Sequence, residues 1–285
     1  MHKWAIKSEH FKNILDGFIQ WLQRINYAAE TIKSRRYQAH YFLGWMEEKG
    51  ITKLDEMNPE ILQQYNEHLH TKPIKSKTIE GYLSLLKLLN EYLENYGETP
   101  IKLIHFTIEK DIKTERTILS EIEIDKLYQN CDSDAWGMRD RAMIALFYGC
   151  GLRCKEGTAL ELGDIDFASG LVHIRKGKNY KERYVPMSTG VKTELKQWLE
   201  NGQEIFSRKN NYILPNRYGN QSQSSGLNQR LKRLCNKAQI NKNISLHCLR
   251  HSIATHLLAG GMDIDQISTF LGHQGLEATQ IYTRI

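Results

Sequence analysis

The chain has 285 residues, of which 40% are hydrophobic and 25% charged, and its formal net charge is +6. This composition is ordinary for a globular protein, and no apolar run reaches the ~20 residues that a membrane-spanning helix requires, so we expect no association with a membrane. The five cysteines include no Cys-x-x-Cys pair, which argues against a disulfide framework and a zinc ribbon. The N-terminus lacks the apolar core of a signal peptide, and we expect a cytoplasmic protein.

Positive charge is concentrated in one part of the chain. Residues 1–110 carry 15 Lys and Arg against 14 Asp and Glu, whereas residues 171–250 carry 16 against 4, a local net charge of +12. A stretch this basic indicates a polyanionic partner, of which nucleic acid is the first candidate. On charge alone, a basic surface that is simply solvated explains it about equally well.

Apolar residues at helical spacing predict a compact module of four helices over residues 8–97. Thr31 is the predicted cap of the second helix and Gly50 its predicted end, and the third helix begins at Asn58, followed by Pro59. The predicted helix starts carry basic residues that either meet phosphates or face water: Lys33, Arg35, Arg36, Lys75 and Lys77.

A polar stretch without amphipathic period interrupts this pattern and predicts a linker. We therefore predict a helical N-terminal domain over residues 1–104, a linker over 105–117 and a second domain over 118–285. Ser120 and Glu123 form a capping-box pattern that opens the first helix of the second domain.

The second domain is predicted to be mostly helical with one β-hairpin. Residues Leu171–Ile174 and Arg183–Val185 favour strands, and a basic turn separates them. The predicted fold class is mainly α (α+β): a helical N-terminal domain and a mixed, mostly helical domain with a small β-sheet or hairpin.

The segment ISLHCLRHSIATHLLAGG predicts a helix that begins near Ser245 and ends at Gly260–Gly261. His247 and Arg250 are three residues apart and so share a face near the positive helix N-terminus, where a phosphate is a natural ligand. The ordinary alternative is that both side chains pack along the protein surface and water hydrates their polar ends. His247 and His251 also have zinc-ligand spacing, but the residue after the first His is not the required Glu, and we predict no metal site.

Further motifs follow one another in this domain: GLRCKE with Arg153 and Glu156, the basic turn GKNYKER, LGH with His273, and ATQIYTRI with Tyr282. Together with HCLRH, and in this order, they resemble the tyrosine recombinase family, which includes phage integrases and Xer-type recombinases. The resemblance extends over essentially the whole chain, and the N-terminal helical module is similar to the core-binding domain of that family.

The resemblance implies a site-specific recombinase that cleaves and rejoins double-stranded DNA through a covalent 3′-phosphotyrosyl intermediate, without ATP, metal or any cofactor. Strand exchange in this family implies a homo-oligomer on DNA, a tetrameric synapse. The catalytic residues that it assigns are Arg153, Lys178, His247, Arg250, His273 and Tyr282. The five basic residues of the N-terminal domain, with Lys176 and Lys181 of the basic turn, are the expected DNA contacts.

The chemistry of these residue types agrees with that assignment. The guanidiniums of Arg153 and Arg250 can hold the equatorial phosphate oxygens with charge-assisted hydrogen bonds. The Tyr282 phenol needs a base to remove its proton, and His247 matches that base. The leaving 5′-oxygen needs an acid, for which Lys178 is the match, with Lys176 and Lys181 as competitors.

The remaining motif residues have expected roles around the phosphate. His273 matches the last histidine of the family, which hydrogen-bonds the scissile phosphate. A carboxylate repels a phosphate, so we expect Glu156 to orient Arg153 or His247. We expect His251 to support its helix.

Three features depart from the family pattern. Gly157 stands where the family has a large apolar residue, which predicts a looser helix, and Lys155 adds an unusual charge. The family continues past the tyrosine with a helix that docks on a neighbouring protomer, whereas this sequence ends at Ile285, so we expect either a truncated chain or a different assembly. Two alternatives stay open: a catalytically inactive relative that only binds DNA, and a type IB topoisomerase.

Overall fold

The computed structural model describes residues 5–96, 100–106, 108, 117–175, 182–202 and 211–272. The chain divides into two compact units, Met1–Thr114 and Glu115–Ile285. Most of the linker predicted at residues 105–117 lies outside the described residues, so its boundaries stay a prediction. Within the described ranges, every helix is too short or too polar to cross a lipid bilayer.

Helices account for most of the first unit that the structure describes. They are α1 (Glu9–Arg24), α2 (Ala29–Glu48), α3 (Pro59–His70) and α4 (Ser76–Asn95). Their buried faces form one core in which aromatic rings contact one another, among them Phe18 with Tyr92 and Trp45 with Tyr65. The predicted four-helix module is confirmed.

The helix ends of this unit follow the predicted capping residues with one exception. The side chain of Asn58 accepts a hydrogen bond from the backbone N–H of Ile61 at 2.9 Å, which caps α3 as predicted. Thr31, however, is not a cap, because α2 already begins at Ala29 and the N–H of Thr31 donates to the carbonyl of Ala28. The helix extends there because Ala29 and the glutamate after it favour helical conformation.

The described part of the second unit is mostly helical. Its helices are α5 (Glu121–Gln129), α6 (Ala135–Ile144), α7 (Cys154–Ala159), α8 (Thr189–Gln197), α9 (Ser224–Lys237), α10 (Leu246–Ala259) and α11 (Ile264–Leu271). The predicted capping box opens α5, since the N–H of Glu123 donates to Ser120 Oγ at 3.2 Å and the N–H of Ser120 donates to the Glu123 carboxylate at 2.7 Å.

In the part of this unit that the structure describes, three short strands form one antiparallel sheet in the order β1-β2-β3. They are β1 (Ile165–Asp166), β2 (Leu171–Ile174) and β3 (Arg183–Pro186). Val172 faces Val185 across the sheet and both are fully buried, so the inner face of the sheet joins the core of the unit. On the outer face, the rings of His173 and Tyr184 stack with their centroids 4.7 Å apart. The two strands predicted from the sequence are confirmed.

The turn that leads into α7 departs from regular helix. After α6 the chain continues as a π-helical turn over Ala145–Gly149, and Gly151 then adopts a left-handed conformation with φ of 58°. Such π-turns often occur at functional sites. Helix α10 packs against this turn, so the segment before Arg153 and the helix that carries Arg250 lie side by side.

Candidate active site

Arg153 lies at the N-terminal end of α7, and its guanidinium contacts a buried carboxylate. Its Nη1 donates to Oε1 of Glu156 at 2.8 Å, and its Nη2 donates to the carbonyl oxygen of Gly272 at 2.6 Å. The backbone N–H of Arg153 also donates to Oε2 of Glu156 at 2.8 Å. Of the two partners considered for Glu156, the structure therefore places Arg153 against it.

A second arginine binds the same carboxylate from the sheet. Nη1 and Nη2 of Arg183 donate to Oε1 and Oε2 of Glu156, each at 2.8 Å, which is a bidentate pair. The sequence motifs assign no role to Arg183. The sequence signal that could identify Arg183 is the two-residue period of β3, because this period places Arg183 on the same inward face as the buried Val185.

Glu156 is held ionised by these two neighbours. Burial alone would raise the pKa of its carboxyl group, but the hydrogen bonds and positive charges of Arg183 and Arg153 outweigh burial and lower the pKa to about 2. The side chain of Glu156 is 2% exposed, so water screens these interactions little. The carboxylate thus joins the start of α7 to β3.

We expect Glu156→Gln to destabilise the protein by ~3–5 kcal/mol, since removal of one partner of a buried ion pair leaves the other charges uncompensated. Thermal or urea unfolding of the purified chain measures this change. The matched control is Glu182→Gln, which removes an exposed carboxylate that pairs with His173 and should change stability by no more than ~1 kcal/mol.

The same pair predicts a dependence of stability on pH. Because the folded pKa of Glu156 is depressed, its contribution is fully present above the ordinary glutamate pKa of ~4.5 and is lost as the pH falls toward about 2. The free energy of unfolding of the wild type should therefore fall more steeply across that window than that of Glu156→Gln. Equal slopes in the two proteins would contradict the ion-pair assignment.

Arg250 lies in the second turn of α10 and points into the protein. Its Nη1 donates to the carbonyl oxygen of Gly151, and its Nη2 donates to the carbonyl oxygen of Leu271 at 2.6 Å. The residue is 1% exposed. The spacing of His247 and Arg250 predicts a shared face, but these two carbonyls draw the guanidinium inward while His247 is exposed.

His247 and His251 contact each other on the first turns of α10. Their rings lie edge to face with centroids 4.3 Å apart. His251 is half-buried, so it limits the positions available to the exposed imidazole of His247. The side chains of both residues thus lie on the part of α10 that also carries Arg250.

The two arginines converge on the end of α11. Arg250 binds the carbonyl of Leu271, and Arg153 binds the carbonyl of the next residue, Gly272. Gly272 ends the helix in the left-handed conformation with φ of 64°, which favours glycine. Since cations are stabilised at a helix C-terminus, this end of α11 is a natural position for both guanidiniums.

Gly157 does not leave the loose packing that the sequence suggests. A Cβ atom added at this position would lie 2.5 Å from Cζ of Phe147, so the phenylalanine ring from the π-helical turn occupies the space beside α7. Glycine here is needed for the close approach of that ring. Lys155, the other unusual residue of the motif, is exposed.

Several predicted site residues lie outside the described residues: Lys176, Lys178, Lys181, His273 and Tyr282. The described residues that the structure brings together are Arg153, Glu156, Arg250 and the unpredicted Arg183. Within the described ranges, no group of three or more His, Cys, Asp or Glu side chains is arranged to hold a metal ion.

Family models match both units of the chain. The phage integrase family model matches residues 117–285, and the model of the N-terminal SAM-like domain of phage integrases matches residues 15–97. The tyrosine recombinase XerC of Oceanobacillus iheyensis is 30% identical over 280 residues, which cover 95% of this chain and 91% of that protein. XerC of Bacillus subtilis is 29% identical over 286 residues, covering 97% and 93%.

Solved structures share the fold over nearly the whole length. The crystal structure of XerA recombinase is 26% identical with a TM-score of 0.56, covering 96% of this chain and 94% of that one. The pre-cleavage complex of XerH recombinase with its difH substrate is 19% identical with a TM-score of 0.79, covering 99% and 96%.

Proposed function

Because the chain belongs to the phage integrase family and is a site-specific tyrosine recombinase, we propose that Tyr282 cleaves DNA at a phosphate held by Arg153 and Arg250. The observation that carries this proposal is the convergence of the two guanidiniums on Leu271 and Gly272, the residues directly before His273. Residues that are far apart in the sequence thereby meet at one place.

The phosphate would be bound by guanidinium N–H groups. Each guanidinium has five donors in a planar fork that matches phosphate oxygens, and it stays charged at any working pH. Negative charge builds up on the equatorial oxygens as the nucleophile attacks, and fixed donors of this kind usually contribute more to catalysis than any other single effect. His273, next to Gly272 in the chain, is proposed to add a hydrogen bond to the same phosphate.

The bond changes follow from the remaining residues. The Tyr282 oxygen forms a bond to the scissile phosphorus while His247 takes the phenolic proton. The bond from phosphorus to the 5′-oxygen breaks, and Lys178 gives that oxygen a proton. Rejoining reverses these steps with a 5′-hydroxyl from the exchanged strand. Because the phosphotyrosine bond conserves the energy of the phosphodiester, the reaction needs no ATP. The two guanidiniums and the Lys178 acid supply the positive charge and the proton that a metal ion and its bound water would otherwise supply, so we propose that no metal ion takes part.

The burial of Arg250 bears on how DNA would bind. At 1% exposure its guanidinium can reach a phosphate only after neighbouring groups move aside, so binding must include a local rearrangement. Catalytic contacts often tighten only in the substrate complex. The side chain of Arg153 is 25% exposed and offers the first contact.

The first unit is proposed to bind the DNA backbone as a core-binding domain. Four of its five predicted contacts are exposed near the starts of α2 and α4: Lys33, Arg36, Lys75 and Lys77. Arg35 differs, because its Nη1 donates to the Gly81 carbonyl and Ser84 Oγ, both at 3.0 Å, and so joins α2 to α4. We assign Arg35 a mainly structural role.

We expect the double variant Lys75→Gln/Lys77→Gln to weaken binding of any duplex by about 10–30-fold at moderate salt and to reduce the log–log salt slope by about 0.9 per lysine. Fluorescence anisotropy with a 30-base-pair duplex at several salt concentrations measures both quantities. The control Lys12→Gln/Lys49→Gln removes the same charge from the same unit, and Lys12 already pairs with Glu9. Equal losses in the two double variants would contradict the assignment.

Exchange between two duplexes requires four strand breaks and therefore four nucleophiles. We propose that four copies of the chain assemble on two recombining sites. Mass photometry of the protein on DNA that carries the target site should detect a species with four protomers, whereas a stable complex of one protomer per duplex that still exchanges strands would contradict it.

The experiment that tests the proposed function starts from DNA of the source organism, sheared, nicked and incubated with the protein in EDTA. After denaturation, protein–DNA adducts are isolated and the attached DNA is sequenced to locate the site. Two differently labelled fragments carrying that site should then exchange ends. Supercoil relaxation without exchange would favour a topoisomerase, and binding without adducts would favour an inactive relative.

A further inference from the structure

Arg183 binds the active-site carboxylate more completely than Arg153 does. It donates from both terminal nitrogens to both oxygens of Glu156, whereas the side chain of Arg153 makes one bond to Oε1. The side chain of Arg183 is 13% exposed, so this contact lies inside the protein. Arg183 also begins β3, five residues after Lys178 in the sequence.

We propose that Arg183 is a positioning residue for recombination, which fixes the guanidinium of Arg153 through Glu156. This inference rests on the proposed function, in which Arg153 holds the scissile phosphate. Arg183 itself need not touch DNA.

The charges explain why a second arginine is needed. A carboxylate paired with Arg153 alone would neutralise it and weaken its attraction for a phosphate. With Arg183 as the bidentate partner, the group of three carries a net positive charge. Only one of the five donors of the Arg153 guanidinium is then bound to the carboxylate. Glu156 can thus orient Arg153 while the site stays electropositive.

Arg183 also contacts the segment that precedes His273. A Cβ atom added to Gly272 would lie 2.7 Å from Cδ and 2.8 Å from Nε of Arg183, so the arginine side chain lies directly against this glycine. Arg153 binds the carbonyl of the same glycine at 2.6 Å. Through these contacts Arg183 links the hairpin, the start of α7 and the end of α11.

The test compares Arg183→Gln and Arg183→Lys with the wild type in single-turnover cleavage at saturating DNA. A small displacement of a catalytic group can lower a rate about a hundredfold, and we expect a loss of this size in Arg183→Gln with less than about threefold change in DNA affinity. Arg183→Lys keeps the charge without the bidentate geometry and should recover part of the rate.

Arg175→Gln is the matched control. Arg175 directly follows β2, whereas Arg183 begins β3, and the carboxylate partners of Arg175 are Asp164 and Glu161 rather than Glu156. This variant removes the same charge next to the hairpin and should cleave within about twofold of the wild type.

Two further measurements test whether Arg183 acts through Glu156. Without Arg183 the pKa of Glu156 should rise, so the fall in the free energy of unfolding on acidification should begin at a higher pH in Arg183→Gln than in the wild type. If Arg183 acts through Glu156, the double variant Arg183→Gln/Glu156→Gln should lose no more rate than Glu156→Gln alone.

Wild-type cleavage by Arg183→Gln would overturn the inference. The inference would also fail if the rate losses of the two single variants multiplied in the double variant Arg183→Gln/Glu156→Gln. It would fail as well if Arg183→Gln lost cleavage rate, DNA affinity and melting temperature together and Arg183→Lys restored none of them. In each of these cases adducts formed by the wild type show that the proposed function holds, so only the inference about Arg183 fails. The absence of adducts from the wild type as well would instead mean that the proposed function itself fails.

Discussion

Tyr282→Phe should abolish covalent attachment of the protein to DNA while leaving DNA binding within about twofold of the wild type. Phenylalanine keeps the ring but lacks the oxygen that attacks phosphorus, and loss of a nucleophile lowers turnover by up to about 10⁶-fold in well-studied enzymes. The measurement is denaturing electrophoresis of the protein after incubation with a suicide substrate that carries the mapped site.

Tyr218→Phe is the control for this substitution. Tyr218 is exposed in the same unit, and its ring lies beside the guanidinium of Arg217. Its substitution should leave adduct formation unchanged. Adducts at the wild-type level in Tyr282→Phe would mean that another residue is the nucleophile.

Arg250→Lys should lower the cleavage rate by about 10²–10³-fold, the effect of losing one donor that stabilises transition-state charge. It should also destabilise the fold by roughly 1–3 kcal/mol, because a lysine lacks the planar fork with which the guanidinium binds the carbonyls of Gly151 and Leu271 from two separate nitrogens. Quench-flow cleavage and thermal unfolding measure the two effects.

Arg233→Lys is the matched control for this arginine. Arg233 is exposed on α9, so the exchange should alter neither rate nor stability noticeably. A rate loss in Arg250→Lys that disappears under conditions where the variant is fully folded would assign Arg250 to stability alone.

The sequence predicted the local structure well, because local chemistry decides it. Asn58, Ser120 and Glu123 supply the hydrogen bonds of helix starts, and the alternation of Val172, His173 and Ile174 requires a strand. The predicted start of α2 is three residues too late, since Thr31 suggests a cap while Ala29 and its neighbour already favour helix.

The sequence predicts which residues belong to the site but not which groups their side chains contact. The motifs identify Arg153, Glu156 and Arg250, but no motif shows that Arg250 turns inward to Gly151 and Leu271. That direction depends on carbonyls brought close by the packing of α10 against the π-helical turn. Arg183 was missed for the same reason, because its partner Glu156 lies on a different element.

Gly157 illustrates how a departure from a family pattern is compensated. In the sequence it suggests a missing apolar side chain beside Arg153. The ring that fills this space belongs to Phe147, ten residues earlier, and its position follows from the π-helical turn. A contact of this kind can be found only once the fold is known.

The most direct test of the proposed reaction is to identify the bond that joins protein and DNA. Adducts formed in EDTA without ATP are digested with nuclease and trypsin, and the peptides are analysed by mass spectrometry. The tryptic peptide over residues 251–284 contains Tyr282 as its single tyrosine. We predict that this peptide carries a nucleotide through its 3′-phosphate. A nucleotide on any other residue, a 5′-phosphate linkage, or an adduct that forms only with added Mg²⁺ would contradict the mechanism.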